Sequence, residues 1–443
     1  MADVETIYAL SSGAGRAGVA VIRLSGPKAL ACLEAMAGKL PQPRYASLRK
    51  ITHPESGDLL DEGLVLAFPA PHSFTGEDMA ELQIHGARAS IEATLAALQH
   101  FGLRPAEAGE FTLRAFTNGR LDLAQAEGLA DLIDSETDQQ RQQALGQFGG
   151  RLSQISGRWR RSLLDIAAPL AAAVDFPDEE DVPAQIEAKA RPVIENLIAD
   201  LEKYLASAER GRLIREGLSV ILLGRPNAGK STLLNHLLGS DQAIVSPTPG
   251  TTRDMIEARL ELAGMAVTLI DTAGLREKSE DPIEQEGMRR ARDRAARADM
   301  KIIMLDASAP EQARSGDLLG MAGANDLIIW NKTDLAPPPK SPRGLAISLA
   351  TGSGLEALLS AIEDHIGQIA AGEEAPILTR ERHIKAVKDT ITELKQSLDL
   401  LELQPDMAAE NVRLAARALA RITGAIDVEE VLGEIFSSFC IGK

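Results

Sequence analysis

The chain has 443 residues, of which 44% are apolar and 25% charged, and its formal net charge is −17. This length exceeds what one hydrophobic core usually organises, so several domains are expected. The acidic excess argues against non-specific binding to nucleic acid, whose phosphates must be neutralised by lysine and arginine, but it is compatible with a local basic groove.

Cysteine content and hydropathy narrow the class further. Two cysteines, Cys32 and Cys440, argue against a disulfide framework or a cysteine metal cluster. The longest apolar stretch, residues 163–174, is shorter than the roughly 20 residues that a membrane helix needs. The first twelve residues are acidic, unlike a secretory signal. We therefore expect a cytoplasmic protein that does not span a membrane.

The first half of the chain predicts two domains. Short strand-like runs at residues 19–24, 63–68 and 80–84, with a helical pattern after Ala89, favour an α+β domain over residues 1–120. From Leu121 the apolar residues recur at helical spacing, which predicts the first part of a helical domain over residues 121–215.

The next segment, residues 216–375, predicts a doubly wound, mostly parallel α/β domain. Continuous apolar runs at 218–223, 267–270, 301–305 and 326–330 are typical of strands buried on both faces, and they alternate with helical segments. Helical spacing resumes in residues 376–443. We interpret the α/β domain as an insertion into one helical domain; a separate C-terminal bundle is the alternative.

A phosphate-binding loop lies between the first apolar strand and a helix. Residues 224–231 read Gly-Arg-Pro-Asn-Ala-Gly-Lys-Ser, the G-x-x-x-x-G-K-[ST] pattern in which backbone N–H groups and a helix dipole face phosphates. Lys230 is predicted to reach the β- and γ-phosphates and Ser231 to bind Mg²⁺. The predicted contacts in this segment are Asn227, Ala228, Gly229, Lys230, Ser231 and Thr232.

Three later motifs make the predicted nucleotide a guanine nucleotide. Asp334, in Asn-Lys-Thr-Asp after a strand, can accept hydrogen bonds from the ring N–H and the amino group of guanine. Adenine does not offer this pair, and an unpaired buried carboxylate is costly. The predicted contacts in these motifs are Asp271, Thr272, Ala273 and Gly274 near Mg²⁺ and the γ-phosphate, then Asn331, Lys332 and Asp334, then Ser348, Leu349 and Ala350 near the guanine carbonyl.

The glutamine that orients water in Ras-like enzymes is missing, because Leu275 and Arg276 follow Gly274. Water must then be activated in another way. Asn227, backbone carbonyls in residues 243–251 and Thr251 can hold a monovalent cation against the phosphates, where an arginine finger would otherwise place positive charge. Thr252 is then the expected second Mg²⁺ ligand, ordered only with a γ-phosphate present.

Several motifs carry a resemblance to known families. Gly-Thr-Thr-Arg-Asp at 250–254, with Asn227 and the missing glutamine, resembles the cation-activated translation-factor GTPases. Ser-Phe-Thr-Gly-Glu-Asp at 73–78, Leu-Asp-Leu-Ala-Gln-Ala-Glu at 121–127, Asp-Phe-Pro-Asp-Glu-Glu at 175–180 and Phe-Ser-Ser-Phe-Cys-Ile-Gly-Lys at 436–443 resemble the MnmE (TrmE) family of tRNA-modification GTPases. The likeness covers essentially the whole chain.

This resemblance implies a folate-binding-like N-terminal domain that forms a homodimer, and a Ras-like P-loop G domain inserted in the helical domain. It implies that G domains of the dimer meet across the nucleotide when K⁺ is bound. The K⁺ ligands carried over from the family are Asn227, Ser246, Thr248 and Thr251, and the Mg²⁺ ligands are Ser231 and Thr252. The catalytic set is Glu284, Lys230 and Asn227, with Glu286 as the alternative register for the glutamate. The folate contacts carried over are Arg23, Glu81, Arg120 and Lys443.

The implied reaction adds an aminomethyl or carboxymethylaminomethyl group to carbon 5 of the wobble uridine of tRNA. It consumes GTP, takes its carbon from a tetrahydrofolate derivative, and is made with the partner MnmG. FAD is expected on that partner, since this chain has no dinucleotide fingerprint. Cys440 either faces the folate site or is an inert thiol. The alternative functions are a GTP-dependent RNA-binding switch in ribosome assembly and a folate-binding scaffold with a vestigial GTPase.

Overall fold

The computed structural model describes residues 5–13, 15–175, 182–225, 227–239, 243–244, 257–271, 298–309, 319–323, 326–339, 344–370, 376–426, 429–437, 439 and 441–442. The described residues form two compact units. One unit contains those within Met1–Ala130, Phe148–Asp178 and Gln404–Lys443, and the other those within Asp131–Gln147 and Glu179–Leu403. Both units therefore combine segments from before and after the α/β region.

The N-terminal segment forms a six-stranded sheet in the order β3-β4-β5-β2-β1-β6, antiparallel except for the β1–β6 pair. Alternate side chains of β2, including Ile22 and Leu24, point into a core that also holds Cys32 of α1. The strands are β1 (Ile7–Leu10), β2 (Ala17–Ser25), β3 (Ser47–Thr52), β4 (Leu59–Phe68), β5 (Met79–Gly86) and β6 (Arg104–Pro105). The helices are α1 (Ala29–Ala37), α2 (Arg88–His100) and α3 (Glu110–Thr117).

The end of the chain is part of this N-terminal fold. Ile441 forms an antiparallel bridge with Ala108, and Ser11 Oγ donates to the Gly442 carbonyl oxygen at 3.0 Å. Gly109 has a φ of +68°, and a Cβ there would overlap the Phe436 carbonyl oxygen. Ile441 and Gly442 therefore bind beside β1 through backbone groups that sequence periodicity does not predict.

The predicted helical segments are present on both sides of the α/β region. They are α4 (Leu123–Ile133), α5 (Asp138–Phe148), α6 (Arg151–Asp175), α7 (Val182–Ala206), α8 (Ala208–Glu216) and, after the α/β region, α11 (Glu381–Leu400), α12 (Pro405–Thr423) and α13 (Glu429–Ser437). Helix α6 packs on α12 in one unit, and α7 packs on α11 in the other. These pairings join segments far apart in sequence; the exact domain bounds stay a prediction.

The α/β region is a second six-stranded sheet in the order β12-β11-β10-β7-β9-β8. All neighbours are parallel except β8, which forms an antiparallel hairpin with β9. The doubly wound arrangement predicted from the apolar runs is confirmed. The elements are β7 (Leu218–Leu223), α9 (Lys230–Leu238), β8 (Glu257–Leu262), β9 (Met265–Asp271), β10 (Met300–Asp306), β11 (Leu327–Asn331), β12 (Leu345–Ala346) and α10 (Leu355–Ala370).

The chain enters and leaves this α/β region side by side. Helix α8 leads into β7, and residues 376–380 lead from the region to α11. A Cβ at Gly211 of α8 would overlap the Leu378 carbonyl oxygen, so the two backbones touch. Arg215 Nε donates to the Thr379 carbonyl oxygen at 3.0 Å, and Arg380 Nη2 lies 2.6 Å from Asp131 Oδ1.

Among the described residues, no helix is both long enough and apolar enough to cross a bilayer.

The C-terminal contact predicts a difference between two glycines that share a left-handed conformation. Gly109→Ala should lower the free energy of unfolding of its unit by about 2 kcal/mol more than Gly119→Ala, because overpacking against Phe436 adds to the backbone strain of about 1–2 kcal/mol that both share. Gly119 has a φ of +67° and open space around its Cβ position. Urea unfolding followed by Trp159 fluorescence, in a Trp330→Phe background, measures the difference. Equal losses would contradict the packing argument.

Candidate functional site

The phosphate loop connects β7 to α9 in a strained backbone conformation. Asn227 has a φ of +65° and Gly229 a φ of +109°. A Cβ at Gly229 would overlap the Asn331 side chain, so this position requires glycine. Lys230 is 5% exposed, and its Nζ donates to the carbonyl oxygens of Gly224 at 2.8 Å and Arg225 at 3.2 Å. The ammonium group is thus held inside the curve of the loop, where phosphate oxygens are the expected partners.

Burial and a neighbouring carboxylate act on Lys230 in opposite directions. Burial lowers the pKa of Lys230, and the Asp271 carboxylate opposes this effect. Desolvation is the larger of the two, so the pKa of Lys230 stays below its ordinary value unless further negative charge lies nearby. A bound polyphosphate would supply that charge.

Ser231 and Asp271 form the next part of the site. Ser231 lies in the first turn of α9, and Asp271 is the last residue of β9, whose parallel pairing with β7 brings it to the same edge of the sheet. Ser231 Oγ donates to Asp271 Oδ2 at 2.8 Å, and Asp271 is buried. Hydroxyl and carboxylate oxygens are ligands that Mg²⁺ prefers, so this pair fits a magnesium ion.

Asn331 joins the phosphate loop to a second loop. It is the last residue of β11 and is buried. Its Nδ2 donates to the Ala228 carbonyl oxygen at 2.8 Å, and its Oδ1 accepts from the Leu349 N–H at 3.1 Å. One amide side chain therefore sets the separation between the loop at 224–231 and the loop at 348–350.

The predicted base-binding residues come together around these loops. Asp334 Oδ1 accepts from Ser348 Oγ at 2.6 Å, so the two predicted guanine contacts touch. Lys332 has a φ of +65°, and its Nζ lies 2.6 Å from Asp306 Oδ2. Asp306 was not among the predicted site residues, although a carboxylate directly after the apolar run at 301–305 is a usable signal.

The Asp306 carboxylate is kept ionised by its hydrogen bonds, which include one from Lys332. Burial raises the pKa of its carboxyl group, but hydrogen bonds from Lys332 and Ser308 outweigh burial and hold the pKa below its ordinary value. The carboxylate is therefore charged at neutral pH and fixes the Lys332 side chain.

Several predicted site residues lie outside the described residues. Of the predicted K⁺ ligands only Asn227 is described, and of the Mg²⁺ ligands only Ser231. Thr232 is exposed on α9, and Ala350 lies in the turn after Leu349. The predicted residues that lie outside the described part of the chain are Ser246, Thr248, Thr251, Thr252, Thr272, Ala273, Gly274, Glu284, its alternative Glu286, Cys440 and Lys443.

A second polar site lies on the N-terminal sheet. Arg23 of β2 and Glu81 of β5 are register partners, and Arg23 Nη2 lies 3.0 Å from Glu81 Oε1. The Arg23 guanidinium carbon is 5.9 Å from the ring centre of Phe74 and 6.0 Å from that of Phe111. These two rings place the cation against aromatic faces, and neither ring was among the predicted site residues.

The loop at residues 73–78 brings the third predicted folate contact to this site. Glu77 Oε2 accepts from Ser25 Oγ at 2.7 Å and from Arg114 Nη1 at 3.0 Å, which fixes the loop to β2 and α3. Gly76 has a φ of +80°, and a Cβ there would lie 3.2 Å from Arg120 Cγ. The same loop thus places the Phe74 ring against the Arg23 guanidinium group and also contacts Arg120.

The sheet order and the first site together define a class. The phosphate loop follows the central strand β7, and Asp271 and the Asn-Lys-x-Asp motif follow parallel strands at the same edge of the sheet. This is the arrangement of a P-loop GTPase.

Comparison with known proteins makes the assignment specific. The family profile described as GTP-binding protein TrmE N-terminus matches residues 6–120, and the MnmE helical domain profile matches residues 123–440. The tRNA modification GTPase MnmE of Caulobacter vibrioides is 49% identical over 450 residues, covering 99% of this chain and all of that protein. That of Parvibaculum lavamentivorans is 50% identical over 445 residues, with 99% and 100% covered. The chain therefore belongs to the MnmE family of tRNA modification GTPases, which confirms the resemblance and the prediction of a GTPase.

Among solved structures, Era from Aquifex aeolicus bound to GDP and AlF4⁻ is 24% identical and covers 40% of this chain and 66% of its own. The TM-score is 0.25, too low for this likeness to add to the assignment.

The bridging role of Asn331 predicts a stability effect. Asn331→Ala should lower the free energy of unfolding of the α/β region by about 2–4 kcal/mol, because it leaves the Ala228 carbonyl and the Leu349 N–H without their partner. Trp330 fluorescence during urea unfolding, in a Trp159→Phe background, measures the change. Asn235→Ala, at an exposed position of α9, is the matched control and should change stability by less than about 0.5 kcal/mol. A similar effect in both variants would contradict the bridge.

Proposed function

We propose that this chain is the GTP-hydrolysing subunit of a tRNA wobble-uridine modification complex. In this proposal it works with the FAD-dependent partner MnmG to add an aminomethyl or carboxymethylaminomethyl group at carbon 5, using a one-carbon unit from a tetrahydrofolate derivative. One observation carries the proposal: the chain is related over its full length to the MnmE proteins, with their N-terminal domain and nucleotide site in one polypeptide.

The described residues support the GTP part of the proposal. Lys230 neutralises phosphate charge from inside the loop, and Ser231 with Asp271 holds Mg²⁺ beside it. Asp334 selects guanine, while Lys332, fixed by Asp306, lies along the base plane. The 2.6 Å hydrogen bond from Ser348 Oγ to Asp334 Oδ1 supports this assignment, because it joins two residues that are proposed to contact the base.

Hydrolysis is assigned to groups that replace the missing glutamine. In this proposal Glu284 orients the attacking water, and Glu286 is the alternative if the register differs by two residues. Asn227, Ser246, Thr248 and Thr251 bind K⁺, and Thr252 completes the Mg²⁺ site. The two cations supply positive charge where negative charge develops on the phosphates. The place of Asn227 supports its part, because this residue lies in the phosphate loop and is exposed.

The N-terminal site is proposed to bind the folate. Arg23, Arg120 and Lys443 suit the carboxylates of a polyglutamylated folate, since guanidinium–carboxylate pairs are strong and directional. Glu81 holds Arg23 in place through the 3.0 Å contact, and the rings of Phe74 and Phe111 add an apolar surface next to it. The protein acts as a cytoplasmic homodimer that joins MnmG in a hetero-oligomer.

The function is tested by nucleoside analysis. Mass analysis of tRNA from a strain lacking this chain should show loss of the modified wobble uridine, and the intact gene should restore it. A gene with Lys230→Ala should not restore it, because the phosphate loop loses its cation. Unchanged wobble-uridine modification in the deletion strain would contradict the proposed function.

The K⁺ site is tested by exchange of salts. GTP turnover should be at least about tenfold faster in K⁺ than in Na⁺ at equal ionic strength. A tenfold ratio corresponds to an activation barrier that is lower by about 1.4 kcal/mol. Rb⁺, which is close to K⁺ in size, should replace it largely. Asn227→Ala should remove the difference between the salts. Equal turnover in K⁺ and Na⁺ for the unaltered chain would contradict the role of Asn227.

A further inference from the structure

We propose that one face of α6 binds the phosphates of the tRNA; this rests on the proposed function. We call this surface the α6 arginine face, and it consists of Arg151, Arg158 and Arg161. All three side chains are exposed, and neither the nucleotide site nor the N-terminal site uses them.

The charge of this surface differs from that of the chain as a whole. Residues 151–165 contain four arginines and a single carboxylate, Asp165, within a protein of net charge −17. An acidic protein that acts on RNA needs a local concentration of cations, since phosphate contacts supply most of the affinity. Arginine suits this task better than lysine, because its planar guanidinium binds phosphate oxygens in pairs.

The helix presents the three arginines of this face in a fixed row. At 3.6 residues per turn, Arg151, Arg158 and Arg161 lie within a stripe about 80° wide, with axial separations of about 10 Å and 5 Å. The opposite face of α6 is buried through Trp159 and Leu163, which sets the rotation of the helix. The row is therefore a rigid platform that can follow several consecutive phosphates.

The row begins close to the segment that carries Arg120. Asp122 and Gln125 form a reciprocal cap of α4, in which Gln125 N–H donates to Asp122 Oδ1 at 2.8 Å and Asp122 N–H to Gln125 Oε1 at 3.1 Å. Gln125 Nε2 also donates to the Phe148 carbonyl oxygen at 3.2 Å, just before α6. RNA bound along α6 would thus reach the part of the unit that holds a proposed folate contact.

The inference predicts a specific loss of tRNA binding. The full-length variant with Arg151→Gln, Arg158→Gln and Arg161→Gln should bind fluorescently labelled bulk tRNA at least about tenfold more weakly at low salt. The slope of log affinity against log KCl concentration should fall in magnitude by about 2, because each lost phosphate contact removes about 0.7–0.9. Fluorescence anisotropy measures both quantities, and the rate of GTP hydrolysis should be unchanged. Arg161→Gln alone should give an intermediate loss.

The matched control removes the same charge elsewhere. Arg88→Gln, Arg141→Gln and Arg413→Gln change three exposed arginines that each lie beside a carboxylate on their own helix. This control should keep the affinity within about twofold and the salt slope unchanged. Equal weakening by both triple variants would reduce the effect to net charge and contradict the inference.

The remaining outcomes separate the inference from the proposed function. Unchanged affinity and slope in the α6 variant would overturn the inference alone, and the nucleoside analysis would still decide the function. Failure of the unaltered chain to bind tRNA at low salt would overturn the inference, whatever the nucleoside analysis gives.

Discussion

The contact between the chain entering the α/β region and the chain leaving it is the constraint on which the organisation of that unit depends. Gly211 and Leu378 touch through their backbones, and Arg215 binds the Thr379 carbonyl oxygen at 3.0 Å. Because α8 and residues 376–380 are fixed together here, α7 and α11 can pack as neighbours although about 175 residues separate them. The long segment between them is free to form its own sheet and core without stretching the helices.

The nucleotide site depends on hydrogen bonds made by residues at the ends of three parallel strands. Strands β9, β10 and β11 end in Asp271, Asp306 and Asn331. Polar groups that are buried or half-buried need partners, and each of these finds one outside its own strand. Asp271 accepts from Ser231 of α9, Asp306 binds Lys332, and Asn331 joins two loops. The hydrogen bonds that satisfy the strand ends also set the spacing of the loops that would surround a nucleotide.

Much of this arrangement was predictable from sequence because it is local or follows from topology. The apolar run at 218–223 coincides with β7, and the phosphate loop follows from glycine and lysine spacing. Contacts made through space were not predictable. Nothing in the pattern connects Asp306 to Lys332, Phe74 and Phe111 to Arg23, or Ile441 to Ala108, since each pair depends on packing between distant segments. Strand β8 was not predicted, although Glu257–Leu262 alternates charged with apolar residues and buries Ala258, Leu260 and Leu262, a pattern typical of a half-buried strand.

The backbone contact between Gly211 and Leu378 also bears on how such a protein can arise and be altered. Since the two backbones already touch, a coding sequence inserted at this point adds a folded module without displacing the helices on either side, and its removal would leave ends that a short turn can join. The coding sequence of the α/β region can thus be gained or lost as one unit. The α/β region can therefore have an evolutionary origin separate from that of the helices on either side. Chimeric proteins that exchange this region between relatives should be joined at this contact rather than at the ends of the sheet.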